Sequence, residues 1–289
     1  MNHYIDFHSH TTLSDGAYRP AQLCRMAQEA GITTLAITDH NRTDDLTELR
    51  NSFPHLHLIQ GVEISCRYRT HNGKDTELHV VGLGIDPENP RLKDLLARNH
   101  PDRAPYINAI LDRLREYGID LGDYNELCKP NPNKPYIGRM DIAQLLLERG
   151  FVSSVQEAFD EYLGAHGKRR AYVPNPARYV SLEEAVAAVV AAGGAAVLAH
   201  LYYYLLSDAE NDTLLRQFKA LSGKNGALEV FYSRYTSEQR KELKALADSH
   251  DLMYSAAGDF HGQDRDESLV NRFTAESCEK LLRFLGIGG

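Results

Sequence analysis

Short apolar runs of β-forming residues alternate along this chain with stretches of helical periodicity, and that alternation limits the fold more than any other feature. The runs cover residues 4–7, 34–38, 56–64, 78–83, 195–199, 227–231 and 252–256. Helical patterns cover 20–30, 44–51, 182–192, 212–221, 237–249 and 275–285. Pro20 suits an early helix position, Gly31 a helix stop, and Ser181-Leu-Glu-Glu an N-cap with a capping box. Repeated βα units predict an α/β fold with a mainly parallel sheet or barrel. The alternation breaks between about Arg98 and Tyr172. There the patterns at 105–117, 140–149 and 155–163 are helical, with Pro130, Pro132 and Pro135 as punctuation. The expected organisation is therefore one barrel built from residues 1–98 and 172–289, with a helical insertion at 99–171.

Chemistry-bearing residues gather where the runs end. In "DFHSHTTLSDG", His8 and His10 are two residues apart and so project to one side of an extended strand. Asp15 lies in Ser-Asp-Gly, a turn signal able to fold back over the same point. "AITDHN" puts Asp39 and His40 after the second run and "GVEIS" puts Glu63 at the end of the third. "ELHVVG" puts His79 in the fourth and "VLAHL" puts His200 after the fifth. "AAGDFHG" puts Asp259 and His261 after the seventh. Each alone has an ordinary explanation, such as a capped turn, a solvated acid or a core histidine with a backbone partner. Together, nine ligand-type residues beside Asp39, from six βα junctions, would face one pole, where carboxylates without a cation would repel. The joint pattern favours a polynuclear metal site. His3, His55, His57, His71, His100, His166 and His250 lack this placement and read as surface or structural.

Composition excludes several classes. The chain has 289 residues, 43% hydrophobic and 25% charged, which is ordinary for a globular protein. It contains no apolar run of about 18 residues, so no membrane span is expected, and no apolar leader follows the first methionine. Four cysteines, Cys24, Cys66, Cys128 and Cys278, form no CxxC pair, which fits a reducing cytoplasm. A net charge of −8 disfavours broad binding to nucleic acid.

In order and spacing, DFHSH, SDG, TDHN, GVEIS, His79, LAH and GDFH resemble the polymerase and histidinol phosphatase (PHP) family. The chain looks most similar to its stand-alone bacterial branch of nucleoside 3′,5′-bisphosphate phosphatases, RNA 5′→3′ exonucleases and cyclic phosphate phosphodiesterases. The resemblance implies a distorted (β/α)7 barrel and a centre of two or three divalent metals. It places His8, His10, Glu63 and Asp259 on one metal. Asp15, His40, His261 and a bridging Glu63 would hold another, and His79 and His200 a third. Many relatives have histidine at the position of Asp15. The extra oxygen ligand tilts the preference toward manganese or iron, with zinc open. Asp39 is expected as a ligand partner or proton carrier, and His200 and His261 as groups that also serve catalysis. Phosphate contacts are expected from Arg139, Lys168, Arg170, Arg234 and Tyr235, with Arg169 read as solvated. Tyr235 stands where the branch usually has histidine, and Leu201 follows His200 where it usually has proline. The run Tyr202–Tyr204 either stacks a ring of the substrate or packs under the insertion.

The expected activity is metal-dependent hydrolysis of a small phosphorylated nucleotide or ribose-type substrate, monoester or cyclic diester, by a metal-bridging hydroxide. Trimming of short RNA from the 5′ end, a non-catalytic metal-binding module and a C–N hydrolase are the alternatives. No stable nucleic-acid partner is expected.

Overall fold

The computed structural model of the protein describes residues 4–99, 103–130, 137–164, 167–173, 179–262 and 273–287. His3, His100, His166, Pro132 and Pro135 of the reading above lie outside them. All seven expected strands form: β1 (Tyr4–Asp6), β2 (Ile32–Ile37), β3 (His57–Arg69), β4 (Asp75–Leu83), β5 (Ala195–Leu198), β6 (Gly226–Tyr232) and β7 (Met253–Ala257). A short β8 (Phe273–Thr274), which the sequence reading missed, adds antiparallel to β1. The sheet order is β7-β6-β5-β4-β3-β2-β1-β8. Backbone bonds from Phe7 N to Ala256 O (2.9 Å), Asp259 N to His8 O (2.8 Å) and His10 N to Phe260 O (2.9 Å) bring β7 back onto β1. The eight strands thus make a nearly closed barrel.

One expectation needs correction. β3 and β4 do not form a βα unit. Only residues 70–74 separate them, too few for a crossover of about a dozen residues, so they form an antiparallel hairpin. β4 is antiparallel to β5 as well, while β1–β2, β2–β3, β5–β6 and β6–β7 are parallel. His79 consequently sits within β4, opposite Ser65, and Glu63 sits mid-strand opposite Val81. Neither is at a strand end.

Alternation along the strands separates two apolar layers. Ile5, Phe7, Val81, Leu83, Val197 and a set of alanines fill the barrel interior. The opposite faces, including Val62, Ile64, Leu78, Val80, Leu198 and Val230, pack under helices. Small interior residues such as Ala36, Ala195, Ala199, Ala227 and Ala256 leave a narrow apolar floor, and polar side chains occupy the level above it. The flanking helices are α1 (Pro20–Glu29), α2 (Thr47–Ser52), α3 (Pro90–Arg98), α8 (Leu182–Ala191), α9 (Asp208–Ser222), α10 (Ser237–Ser249) and α11 (Glu279–Phe284). The Ser181–Glu184 capping box forms as read, with Glu184 Oε2 accepting from Ser181 N at 2.9 Å. α3 was missed although Asn89 caps it and Pro90 opens it, a signal present in the sequence.

Residues 104–163 form α4 (Ala104–Glu116), α5 (Tyr124–Cys128), α6 (Arg139–Glu148) and α7 (Val155–Ala158), the last continuing as a π-helical turn, Phe159–Leu163. They share a separate apolar core that runs from Tyr106 to Ala171. Where this excursion leaves and rejoins the barrel stands Asn99, 1% exposed. Its Nδ2 donates to Asn41 Oδ1 (2.8 Å) and Ser65 O (2.7 Å), and its Oδ1 accepts from Val180 N (3.0 Å).

β3 changes partners at Gly61, where parallel pairing with β2 gives way to antiparallel pairing with β4. A Cβ at this position would lie 2.7 Å from Thr38 Cγ2 and 2.8 Å from Ile37 O. Gly61→Ala is expected to destabilise the fold by about 1–3 kcal/mol through overpacking. Denaturant unfolding would read it, and an unchanged midpoint would show that β2 can give way.

Candidate metal centre

The segment after β1 is built to aim two histidines inward. Ser9 turns the other way, its Oγ donating to Ala36 O (2.6 Å) and its N donating to Thr38 Oγ1 (3.0 Å). His8 and His10 therefore share the interior side, ring centroids 5.1 Å apart. The chain then folds back in a turn closed by Gly16 N on Thr11 O at 2.9 Å. A Cβ on Gly16 would lie 2.5 Å from the His10 backbone, so only glycine fits. The turn delivers Asp15 to His261 (Oδ1 to Nε2, 3.4 Å), His40 (Oδ2 to Nε2, 3.6 Å) and His10 (Oδ1 to Nδ1, 3.8 Å).

Glu63, 1% exposed, is the hub. Its Oε1 lies 2.7 Å from His79 Nδ1 and 3.3 Å from the Nε2 atoms of His8 and His200. Its Oε2 lies 2.9 Å from His40 Nδ1 and 3.3 Å from His10 Nε2. Asp259 Oδ1 is 3.1 Å from His10 Nε2 and 3.5 Å from His8 Nε2. All nine expected ligand residues thus come together. Three groups offer donor atoms mutually within 4.8 Å: His10, Asp15, His40 and His261; His8, His10 and Glu63; and His40, Glu63 and His79. Asn41, His200 and Asp259 all hold positive φ (50°, 30° and 51°), backbone strain concentrated at the cluster.

The donors fit divalent cations. His8 Nε2, both ring nitrogens of His10, His40 Nδ1, Glu63 Oε2 and His200 Nδ1 are buried without a hydrogen bond. Many N···O separations exceed a hydrogen bond and match the roughly 3.0–3.4 Å between two donors each about 2.1 Å from a shared ion. An imidazole and carboxylate set without thiolate suits manganese, iron or zinc.

Burial raises the Glu63 carboxyl, but the charges of His40, His79 and His8 outweigh it and hold it well below the usual range. Burial likewise opposes ionisation of Asp259, and His8 and His261 reverse the outcome. His10 is pushed down to about 3 by burial and the charges of His261 and His40. In His79 burial is overcome by Glu63 and Glu77, which raise it to about 10.

Several expected residues do other work. Asp39 contacts none of the candidate ligand histidines among the described contacts. It accepts from Thr11 N (2.8 Å), Thr11 Oγ1 (2.7 Å) and Ser14 Oγ (2.5 Å), which pins the turn carrying Asp15. Tyr235 likewise contacts none of the nine expected ligands among the described contacts. It is buried, packs on Tyr232 with centroids 4.8 Å apart and accepts from Tyr202 N at 3.2 Å. Lys168 is exposed and paired with Glu161, and Arg170 is exposed; neither contacts the cluster among the described contacts. Arg169, read as solvated, donates to Tyr162 Oη at 2.7 Å. Arg139 packs 5.5 Å from the Tyr172 ring centroid, and its charge helps hold down Glu77, the neighbour of His79. Arg234 is exposed, and its charge bears on Tyr232.

The tyrosine run divides. Tyr204 is buried and donates to Ala199 O at 2.9 Å, and Tyr202 Oη donates to Glu242. Tyr203 stands 52% exposed with its ring 5.8 Å from that of His200. His55, His57 and His71 are exposed, and His250 pairs with Asp212.

Two buried groups were missed. Tyr232 Oη donates to Asp259 Oδ2 at 2.9 Å. Glu229, within β6, lies 2.8 Å from His8 Nδ1 and accepts from His200 N at 2.7 Å. A lone acid inside an otherwise apolar run was the available signal, since a charge buried there needs a partner.

The raised His79 value gives a sign for cation binding. The folded protein keeps that proton from the ordinary value near 6.5 up to about pH 10. A cation takes only the neutral ring, so binding at this position expels a proton and tightens as pH rises through that window. Calorimetry with manganese at pH 7, in two buffers of different ionisation heat, is expected to show proton release. Observed heats that do not differ between the two buffers would show no proton release and a neutral His79.

A family model described as the PHP domain matches residues 6–233. The 5′-3′ exoribonuclease Rnm of Escherichia coli K12 is 36% identical over 262 residues, covering 89% of this chain and 84% of that protein. The 3′,5′-nucleoside bisphosphate phosphatase of Chromobacterium violaceum is 32% identical over 268 residues, covering 89% and 87%. A solved amidohydrolase structure from Chromobacterium violaceum, with bound sulfate and no metal, superposes with a TM-score of 0.80 at 30% identity, covering 91% of this chain and 89% of that one. With a family model over most of its length and relatives matched across more than four-fifths of both partners, this chain belongs to the PHP (polymerase and histidinol phosphatase) family of metal-dependent phosphoesterases.

Proposed function

We propose that the protein hydrolyses phosphate esters of a small phosphorylated nucleotide or ribose-type compound, monoester or cyclic diester, with two or three divalent ions, manganese first among them. The observation that carries the reading is the set of buried, unbonded nitrogen and oxygen atoms converging around Glu63. Ions held there would supply Lewis acidity toward phosphoryl oxygens and lower the pKa of an attacking water.

The chain's own residues divide the remaining work. His8, His10 and Glu63 form a dry floor, where electrostatic interactions are stronger than in water. Asp15, His40 and His79 stand nearer the mouth, their side chains 14–20% exposed. His200 stands between Glu63 and the open face of Tyr203, placed to stabilise the oxygen that departs with the ring-bearing fragment. His261 orients through Nδ1 on Asp259 O at 2.8 Å and presents Nε2 to Asp15. Arg139 and Arg234 are the basic groups we assign to substrate phosphate, and Tyr203 the aromatic face for its ring. Residues 99–171 act as a cap on the barrel of 1–98 and 172–289, a division supported by their separate core. The Chromobacterium violaceum relative named as a 3′,5′-nucleoside bisphosphate phosphatase favours phosphoester over C–N chemistry.

A second reading, removal of nucleotides from the 5′ end of short RNA, is favoured by the Escherichia coli relative. One experiment separates the two. Manganese-loaded protein is offered a nucleoside 3′,5′-bisphosphate, nucleoside monophosphates, cyclic and open ribose phosphates, and a short 5′-phosphorylated RNA. Release from the small esters, lost in a His8→Ala, His10→Ala double variant, is the expected result. Shortening of the RNA alone would establish the second reading. Silence from the whole panel with metal bound would overturn both. Arg139→Ala is expected to raise KM for the turned-over ester about tenfold or more with a smaller effect on kcat.

A further inference from the structure

We infer that Glu229 is a positioning residue whose single buried carboxylate sets the ring tautomer of His8 and the backbone of His200, and so holds two nitrogen donors of the metal site at once. The inference deepens the metal-site reading above and rests on it.

Glu229 shares the inward face of β6 with Ala227 and Phe231 and is 1% exposed. Its two oxygens have different clients. Oε2 accepts the backbone N–H of His200 at 2.7 Å, and Oε1 lies 2.8 Å from Nδ1 of His8. A backbone N–H can only donate. An ionised carboxylate can only accept, so the His8 contact requires hydrogen on Nδ1. In the neutral ring, the form a cation takes, Nε2 is then a bare lone pair, and this buried, unbonded atom faces Glu63 Oε1 at 3.3 Å and Asp259 Oδ1 at 3.5 Å. At His200 the same carboxylate secures a residue whose backbone is left-handed (φ 30°, ψ 53°), a conformation that places its ring 3.3 Å from Glu63. Because both neighbours donate, no neutral side chain of similar shape serves both.

Glu229→Gln tests this. Glutamine has one acceptor oxygen. If that oxygen keeps the His200 N–H, the amide NH2 faces His8 Nδ1, which is satisfied only by the opposite tautomer, with hydrogen on Nε2 aimed into the site. The probe is Mn2+, measured by equilibrium dialysis and metal analysis on the full chain, beside the unfolding midpoint of metal-free protein. We expect roughly 10–100-fold weaker binding, the range for losing a group that orients a ligand, with the midpoint near that of the wild type. Wild-type affinity in Glu229→Gln overturns the inference. A second measurement needs no variant: ring-nitrogen NMR of the zinc-loaded wild type should show His8 protonated at Nδ1. Hydrogen on Nε2 overturns the inference even if Glu229→Gln fails to fold. His8→Ala separates the two levels of failure. If the wild type binds Mn2+, His8→Ala loses it and Glu229→Gln does not, the metal site stands and the role of Glu229 falls. If the wild type binds neither Mn2+ nor Zn2+, both fall together.

Discussion

A carboxylate buried at the axis of a narrow barrel has to be neutralised, and much of this molecule follows from how that is done for Glu63. Five histidines reach it from four turns or strands: His8 and His10 beyond β1, His40 beyond β2, His79 within β4 and His200 beyond β5. A negative charge removed from water is expensive unless paired. Here the pairing groups are also the candidate ligands, so electrostatics and metal chemistry would make the same demand on the chain. The alanine-rich floor below keeps the barrel narrow enough for side chains from opposite walls to meet. Clamps around the rim, Asp39 on Thr11 and Ser14 and Tyr232 on Asp259, keep them there.

Much of this was legible in the sequence, for a physical reason. A strand buried on both faces is a continuous apolar run, and each run here is closed by polar punctuation, so all seven strands could be located. The convergence of the candidate ligands was legible because most of these imidazoles and acids recur at those closures. What failed is instructive. Residues 70–74 are too few for a crossover, and reading that spacing would have exposed the hairpin and moved His79 and Glu63 away from strand ends. Glu229 was passed over because it lies inside an apolar run rather than after one. Asp39 and Tyr235 show that proximity in sequence to a candidate ligand says nothing about which way a side chain turns. Asp39 turns back to secure a loop, and Tyr235 turns into the packing between β6 and its covering helix.

The tyrosine run shows how three identical residues divide by position. Tyr204 is drawn under the sheet by the carbonyl of Ala199, and Tyr202 leans out to Glu242. Tyr203 keeps an open face next to His200, with the exposed Leu205 nearby. An aromatic surface beside a charged cluster gives the mouth two chemistries at once, one for a charged group and one for a ring.

Asn99 has a consequence for how such a protein can change over time. One buried amide ties the outgoing and returning strands of the helical excursion to Asn41 and Ser65, beside His40 and Glu63. The excursion brings its own apolar core, and Asn99 ties its two ends to the barrel. A segment that packs on a core of its own and is tied at both ends to one buried amide can vary in length and surface without repacking the barrel beneath it.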